Sequence, residues 1–489
     1  MRREFDFPNI GSTTRILEVP SASVAHVEAT LRAQPGVRSV GVTGGRRYPL
    51  AVTAPYYTND PYFTNDPYFA GFLNPATTGG VTPLSTYHVP PYDESANVPG
   101  QWGMHAARFD SAFAYSQSGN GSNVSSANAL GSPSVKIAII DSGADTSHPE
   151  LAAPKIAYQR CFITAPDSSQ SLSTSNFVTD TDGHGTSVSG IAAAITNNAL
   201  GFTGAGGNST LYEYRIDPTP DSNCSDPTKS QNDPQCGGNV VDVISAINDA
   251  VAQGVNVISL SLGSFGSDGT SSGCQTNGVD GSSAEGTAIA NALAKNIVVV
   301  AASGNGGGAA LTAPACDQGV IAAGASALAD GQPNGAKNSN GSAVHPLEYV
   351  ASYSSYGTPG VAYRNAAAWG IVAPGGDPVA NDPDQLHWIQ NIYTSTPFDG
   401  VTSCSPDYPF TAGSPTECQI LIAGTSMSAP LIAGAAALII AVNPTYQSPT
   451  RMKQLLCATT DDISDAREGC GRLNIYRAMA VALGDTVTP

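Results

Sequence analysis

The chain has 489 residues, enough for a large core and for more than one domain. Only 12% of them are charged, and 21 Lys and Arg against 39 Asp and Glu leave a net charge of −18. That balance excludes phosphate-backbone binding, which needs clustered cations, so nucleic acid is not an expected partner.

The first residues, MRREFDFPNIGSTTRILEV, are basic at the start but have no apolar stretch behind them, so no signal peptide is read within this chain. Thr14 to Pro20 (TRILEVP) reads as a strand. The segment SASVAHVEATLRAQ follows with Val24, Val27 and Leu31 at helical spacing, and Pro35-Gly36 stops it. VRSVGVT and RRYPLAV then read as two strands joined at Gly44-Gly45, completing a small β-α-β-β unit. TNDPYF occurs at Thr58 to Phe63 and again at Thr64 to Phe69, and a stretch rich in Pro, Gly and Thr runs on to about Pro99 as an extended arm.

From Val135 onward, short apolar runs alternate with helical ones. VKIAII, STLYEYRI, VNVISLSLG, NIVVVAASG and GVIAAGAS suit strands buried on both faces, while SVSGIAAAIT, VVDVISAINDAVAQ and SAEGTAIANALAK carry helical periodicity. This alternation predicts a parallel α/β sheet whose chemistry lies beyond the strand C-termini. Leu421 to Ile440 is the longest apolar run. Its GTSMSAP head leaves too short a remainder for a membrane span, so it reads as a core helix and no membrane partner is expected.

Nine cysteines stand at 161, 224, 236, 274, 316, 404, 418, 457 and 470, none in CxxC spacing. Proximity in sequence groups Cys224 with Cys236, Cys404 with Cys418 and Cys457 with Cys470. Cys274 with Cys316 makes a fourth bridge and Cys161 is left unpaired. Loop-closing disulfides belong to oxidising compartments, and secretion is the expectation; nine reduced core thiols are the alternative.

Three polar sites stand where such a sheet would gather them. Asp141-Ser142-Gly143 ends VKIAII, Asp182-Gly183-His184-Gly185-Thr186 opens the next helix, and Gly424-Thr425-Ser426 opens the apolar one. Taken singly, each is a turn or a helix cap. Together they supply the nucleophile, imidazole and carboxylate that acyl transfer requires.

The blocks IAIIDSGADTSHPEL, DGHGTSVSGIAAA and AGTSMSAPLIAGAAAL resemble, in order, the Asp, His and Ser motifs of subtilisin-like serine peptidases. VNVISLSLGS, VVVAASGN, ASYSSYG and VAPGG resemble further blocks of that family, and the likeness runs from about Gln101 to Leu483. The resemblance implies a three-layer parallel-sheet α/β catalytic domain at 101–489, a ferredoxin-like α+β inhibitory propeptide at 1–57, and a linking arm at 58–100. It implies a secreted endopeptidase that processes itself and acts on protein or peptide substrates. Ser426 is then the nucleophile, His184 the general base and Asp141 the orienting carboxylate. Asn305 joins the Ser426 backbone N–H in stabilising the oxyanion. Ser261, Leu262, Gly263, Ala302, Ser303 and Gly304 line the substrate pocket.

The resemblance also implies structural calcium, held by Glu150, the Asn198 side chain and the carbonyls of Thr196, Leu200 and Phe202, with Asp66 or Asp60 adding another oxygen. NNALG as a plain turn is the alternative. Leu431 and Ala144 depart from the usual residues, and inserted loops lengthen the spacings between blocks. The aromatic residues before the two repeats, Tyr57 and Phe63, suggest cleavage there and a pocket for large apolar side chains; a chance duplication in a solvated arm is the alternative. Two other functions stay open at this level. One is an acid-acting serine-carboxyl peptidase, against which the DGHGT block argues; the other is an inactive peptidase fold kept for binding.

Overall fold

The computed structural model describes residues 3–7, 12–16, 101–117, 130–163, 180, 182–198, 201–217, 238, 240–263, 284–328, 348–358, 364–377, 388–393 and 419–484. The chain divides into two compact units, Met1–Ala51 and Val52–Pro489. In the first, β1 (Arg3–Phe7) pairs antiparallel with β2 (Ser12–Ile16), in register from Arg3 opposite Ile16 to Phe7 opposite Ser12. The expected strand at Thr14 to Pro20 overlaps β2 at residues 14–16, and its remainder lies outside the described residues. The rest of the expected β-α-β-β unit, the repeat and the arm lie outside the described residues.

The second unit runs α1 (Trp102–Ala106), α2 (Phe109–Gln117), β3 (Lys136–Asp141), β4 (Ile156–Cys161), α3 (His184–Ala193), β5 (Thr210–Arg215), α4 (Val240–Gln253), β6 (Val257–Leu260), α5 (Ala284–Ala294), β7 (Val298–Ala302) and β8 (Ile321–Leu328). It continues with β9 (Glu348–Val350), β10 (Gly370–Pro374), β11 (Ile389–Ile392), β12 (Gln419–Ile422), α6 (Thr425–Val442), α7 (Pro449–Ala458) and α8 (Ile475–Ala482). Seven strands form a parallel sheet in the order β10-β8-β7-β6-β3-β5-β4, with β9 antiparallel on β8.

Alternation along the strands sorts the core into two layers. Ile137 and Ile139 of β3, with Val257, Val298 and Val300, face α3 and α6 in one apolar cluster. Ala138 and Ile140, with Ile258, Leu260, Val299 and Ala301, face α4 and α5 in the other. Both faces are covered, which is why these strands are continuously apolar. Each fully buried Ile or Val stabilises the fold by about 1.5–3 kcal/mol relative to exposure. The architecture is a three-layer α/β sandwich.

Helix α6 has a mean hydropathy of 1.9, long and apolar enough to cross a membrane, yet 89% of it is buried inside the fold. It packs against β6, β7, β8, β10 and α3. Gly434 lets this helix meet the loop after α3: an added Cβ would lie 2.5 Å from Ala205 Cβ and 2.6 Å from Gly206 N. The Arg472 guanidinium, buried, pairs with Glu348 and Asp461 and donates to the Ala106 carbonyl, joining the C-terminal segment to α1 and β9.

Cys457 and Cys470 form a disulfide, the pairing their spacing suggests, and Cys161 at the end of β4 is a free thiol. Cys316 is also disulfide-bonded. Cys224, Cys236, Cys274, Cys404 and Cys418 lie outside the described residues.

The contact at Gly434 has a measurable cost. Gly434→Val forces side-chain atoms against backbone that cannot yield, and a loss of about 1–3 kcal/mol in unfolding free energy is expected from denaturant titration. An unchanged midpoint would show that α6 and the 204–206 loop are not tightly packed.

Candidate active site

The site forms at the C-terminal edge of the sheet, where β3 delivers Asp141. The Asp141 carboxylate, buried, accepts from Ser142 N–H at 2.8 Å and lies 2.7 Å from His184 Nδ1. His184 is the first residue of α3, behind Gly183, whose φ of 95° is the left-handed region that favours glycine. The two turns come very close. A Cβ at Gly185 would stand 2.1 Å from the Gly143 carbonyl oxygen, so glycine is required there.

A residue that motif reading missed ties these turns together. The buried Asp180 carboxylate accepts from Ser142 Oγ at 3.0 Å, Gly183 N–H at 2.9 Å, Thr186 N–H at 2.9 Å and Thr186 Oγ1 at 2.6 Å. Ser142 Oγ in turn accepts from Gly185 N–H at 2.9 Å. Asp182 accepts from His184 N–H at 3.1 Å, and Tyr393 reaches the same turn from the end of β11.

Electrostatics around the imidazole are one-sided. Burial pulls the His184 pKa down, but the Asp141 charge and hydrogen bond, reinforced by Asp182 and Asp217, push it up to about 9 overall. The side chain keeps 29% exposure, so solvent reaches it. Asp217, one residue past the Ile216 N–H that donates to the Asp141 carbonyl, is itself pushed up to about 7 by burial and by Asp141. With Nδ1 held by Asp141, Nε2 is the nitrogen left to exchange a proton.

Ser426 is the second residue of α6. Pro430, four residues on, has no N–H, so the Ser426 carbonyl lacks its helical donor. Ser261 Oγ supplies one at 2.7 Å, and Ser426 Oγ donates back to the Ser261 carbonyl at 3.2 Å. Ser261 directly follows β6, the neighbour of β3, so this exchange docks Ser426 on the edge that carries Asp141. In this state the Ser426 hydroxyl is bonded to Ser261 and not to His184; catalytic hydrogen bonds commonly tighten only once substrate binds.

Asn305 is exposed just beyond β7. Its carboxamide oxygen accepts from Thr425 N–H at 3.0 Å and Thr425 Oγ1 at 2.8 Å. With the oxygen engaged, the amide NH₂ is the end available to a ligand. The Ser426 N–H belongs to the first turn of α6 and has no helical acceptor. An α/β sheet edge therefore presents an Asp–His pair, a serine at a helix N-terminus and two N–H donors beside it.

The six expected pocket residues lie on adjacent segments: Ser261, Leu262 and Gly263 follow β6, while Ala302 ends β7 and Ser303 and Gly304 follow it. Thr312, which sequence reading missed, stands between them. An added Cβ at Gly263 would meet Thr312 Oγ1 at 2.4 Å, and one at Gly304, where φ is 109°, would meet Thr312 Cγ2 at 2.6 Å.

The expected calcium donors are only partly gathered. Asp60, Asp66 and Leu200 lie outside the described residues. Buried Glu150 accepts from Phe202 N–H at 2.9 Å and from Asn198 Nδ2 at 3.3 Å, while Thr196 Oγ1 donates to the Ala194 carbonyl. Among the described residues no group of three or more His, Cys, Asp and Glu is arranged to hold a metal. Two neighbours were not anticipated. Gln101 exchanges hydrogen bonds with the Thr203 backbone, and buried Lys155 donates to the Gly207 and Ser209 carbonyls, its pKa pushed down to about 7 by burial against the opposing pull of Glu150.

Such a fold and edge define a serine hydrolase of the α/β type. Residues 132–472 match the family model described as the subtilase family, and the chain belongs to that family of serine endopeptidases. It is 28% identical over 349 residues to subtilisin DY of Bacillus licheniformis, covering 70% of this chain and 90% of that one. It is likewise 28% identical over 346 residues to thermitase of Thermoactinomyces vulgaris, covering 70% and 88%. A thermophilic serine proteinase of Bacillus sp. (strain AK1) is 29% identical over 352 residues, which span 71% of this chain and 62% of that protein. Among solved structures, a protease from Pseudoalteromonas arctica PAMC 21717 shares the fold, with a TM-score of 0.51 at 24% identity over 77% of this chain and 98% of its own.

The Asp141 contact predicts a titration. NMR of the imidazole should place its midpoint near 9. Asp141→Asn removes the largest raising influence and leaves the lowering effect of burial opposed only by Asp182 and Asp217, so the midpoint falls. A midpoint that stays put in Asp141→Asn would show that the carboxylate does not govern the histidine.

Proposed function

We propose that this chain is a secreted serine endopeptidase, made as a precursor that processes itself, with Ser426, His184 and Asp141 as its catalytic triad. The observation that carries the reading is the 2.7 Å approach of His184 Nδ1 to Asp141, on the sheet edge to which Ser261 ties Ser426. The Ser426 hydroxyl turns from the Ser261 carbonyl toward His184 Nε2, gives up its proton there and attacks a peptide carbonyl. Asp141 holds the imidazole tautomer and stabilises the imidazolium. Asn305 Nδ2 and the Ser426 N–H receive the oxyanion. His184 then protonates the leaving amine, and water hydrolyses the acyl-enzyme by the reverse proton path. Because the base must be neutral, kcat/KM should rise with pH until His184 has lost its proton.

In this reading residues 1–57 are the inhibitory propeptide, 58–100 a linking arm and 101–489 the peptidase. The segments 261–263 and 302–304 wall a pocket for large apolar side chains, and the precursor is cut after Tyr57 or Phe63. Export to an oxidising compartment is supported by the Cys457–Cys470 disulfide. One preparation tests these points together. A fluorophosphonate probe should label Ser426, Ser426→Ala should remain unlabelled and full length, and N-terminal sequencing of the active form should begin at Thr58 or Thr64. Asn305→Ala should lower kcat by about 10²- to 10³-fold at similar KM, the loss known for the corresponding donor in subtilisin rather than one obtained from these distances. An unlabelled Ser426, or an Ser426→Ala chain processed normally, would reject the reading.

We propose calcium as a structural cofactor at Glu150. A hard cation there would take the carboxylate, the Thr196, Leu200 and Phe202 carbonyls and the Asn198 side-chain oxygen, which requires the Asn198 carboxamide to turn its oxygen inward. Stripping with EDTA should lower the thermal midpoint, calcium should restore it, and Glu150→Gln should abolish the difference. A midpoint indifferent to EDTA would leave this loop to its own hydrogen bonds and to Lys155.

A further inference from the structure

The turn that carries His184 is held by a residue from a distant part of the chain. Tyr393 follows β11, and its hydroxyl donates to the Asp182 carbonyl at 2.8 Å across 211 residues of sequence. The N–H of the same peptide unit, that of Gly183, donates to Asp180 Oδ1 at 2.9 Å. The Asp182–Gly183 peptide is thus gripped at both ends, one residue before the imidazole. The tyrosine ring lies directly over Gly183: a Cβ there would fall 2.0–2.7 Å from ring atoms. Without that ring and hydroxyl the peptide is held only from its N–H side, and a glycine at positive φ then allows its carbonyl side to tilt and His184 to shift with it.

The hairpin that presents Tyr393 also leads to the nucleophile. β11 pairs antiparallel with β12, in register from Ile389 opposite Ile422, and Ser426 comes four residues after Ile422. Asn391 and Ile392 of β11 press on Gly190 within α3, so the hairpin is seated on the histidine helix as well. One two-stranded unit therefore touches the base turn and delivers the serine.

We propose that Tyr393 is a positioning residue for peptide hydrolysis: through its hydroxyl and ring it locks the Asp182–Gly183 peptide in the orientation that aims His184 at Ser426. The proposal rests on the triad roles given above. Tyr393 acts through the backbone and touches no reacting atom, so its contribution lies in the chemical step and not in holding substrate.

Tyr393→Phe keeps the ring and deletes one hydrogen bond. The variant should retain the parent's thermal midpoint and KM, while kcat and the rate of fluorophosphonate labelling of Ser426 fall together by about 3- to 10-fold, the equivalent of one net hydrogen bond. The acid limb of its kcat/KM profile should move to lower pH, because a slack turn weakens the pull of Asp141 and Asp182 on the imidazolium. Tyr393→Leu, which also removes the ring, should lose more in the same two rates. A variant whose kcat, labelling rate and pH profile superimpose on the parent overturns the proposal, as does a loss confined to KM or to the thermal midpoint. A parent whose Ser426 is not labelled overturns the peptidase reading and this inference with it, whereas a labelled parent with an unaffected Tyr393→Phe variant overturns this inference alone.

Discussion

The buried Asp180 carboxylate is the interaction on which the site's geometry depends. It receives hydrogen bonds from the turn after β3, through Ser142, and from the turn before α3, through Gly183 and Thr186. These two turns bear Asp141 and His184. A fully buried carboxylate facing N–H and O–H donors is strongly directional, so the two turns are held together although 38 residues separate Ser142 from Asp180. Gly185 makes the arrangement sterically possible, since a Cβ there would collide with the Gly143 backbone. Its missing side chain allows the backbones to approach until Ser142 can accept from the Gly185 N–H.

The serine is positioned by a different device. Helix α6 is needed first as core, since its apolar surface covers one face of the sheet. A helix that fills a core has no reason to keep a polar group ordered at its head, and Pro430 supplies one by leaving the Ser426 carbonyl without its usual partner. Ser261 fills that vacancy and brings the sheet edge against the helix start. The same residues thus satisfy a backbone requirement and fix the hydroxyl next to the segment that follows β6. Packing and chemistry share one set of contacts here.

Much of this was legible in the amino-acid order because the central strands are buried on both faces. KIAIID, VISL and VVVAA cannot alternate polar with apolar residues, and their unbroken hydrophobicity marks them as parallel-sheet strands. β4 escaped notice for the opposite reason: at the sheet edge, only Ile156 of its six residues is buried. The three- to five-residue strands β9 to β12 are too short to carry a period. In the site, Asp141, His184 and Ser426 announce themselves through local motifs. Asp180, Thr312 and Tyr393 do not, since each acquires its meaning from a partner remote in sequence, as Tyr393 does from Asp182. The calcium expectation was drawn from a loop motif, whereas in the folded loop Glu150 meets N–H donors whose placement depends on Phe202 and Asn198.

The position of α6 in the chain has a consequence for biosynthesis. The sheet begins at β3, yet the helix that closes over β6, β7, β8 and β10 emerges from the ribosome only after all of them. A nascent chain ending before Thr425 has an open sheet face and no Ser426. With Ser426 as the proposed nucleophile, a chain terminated or stalled upstream of this helix lacks both the cover of the sheet and the hydroxyl, so the order of elements along the chain withholds activity until synthesis has passed α6.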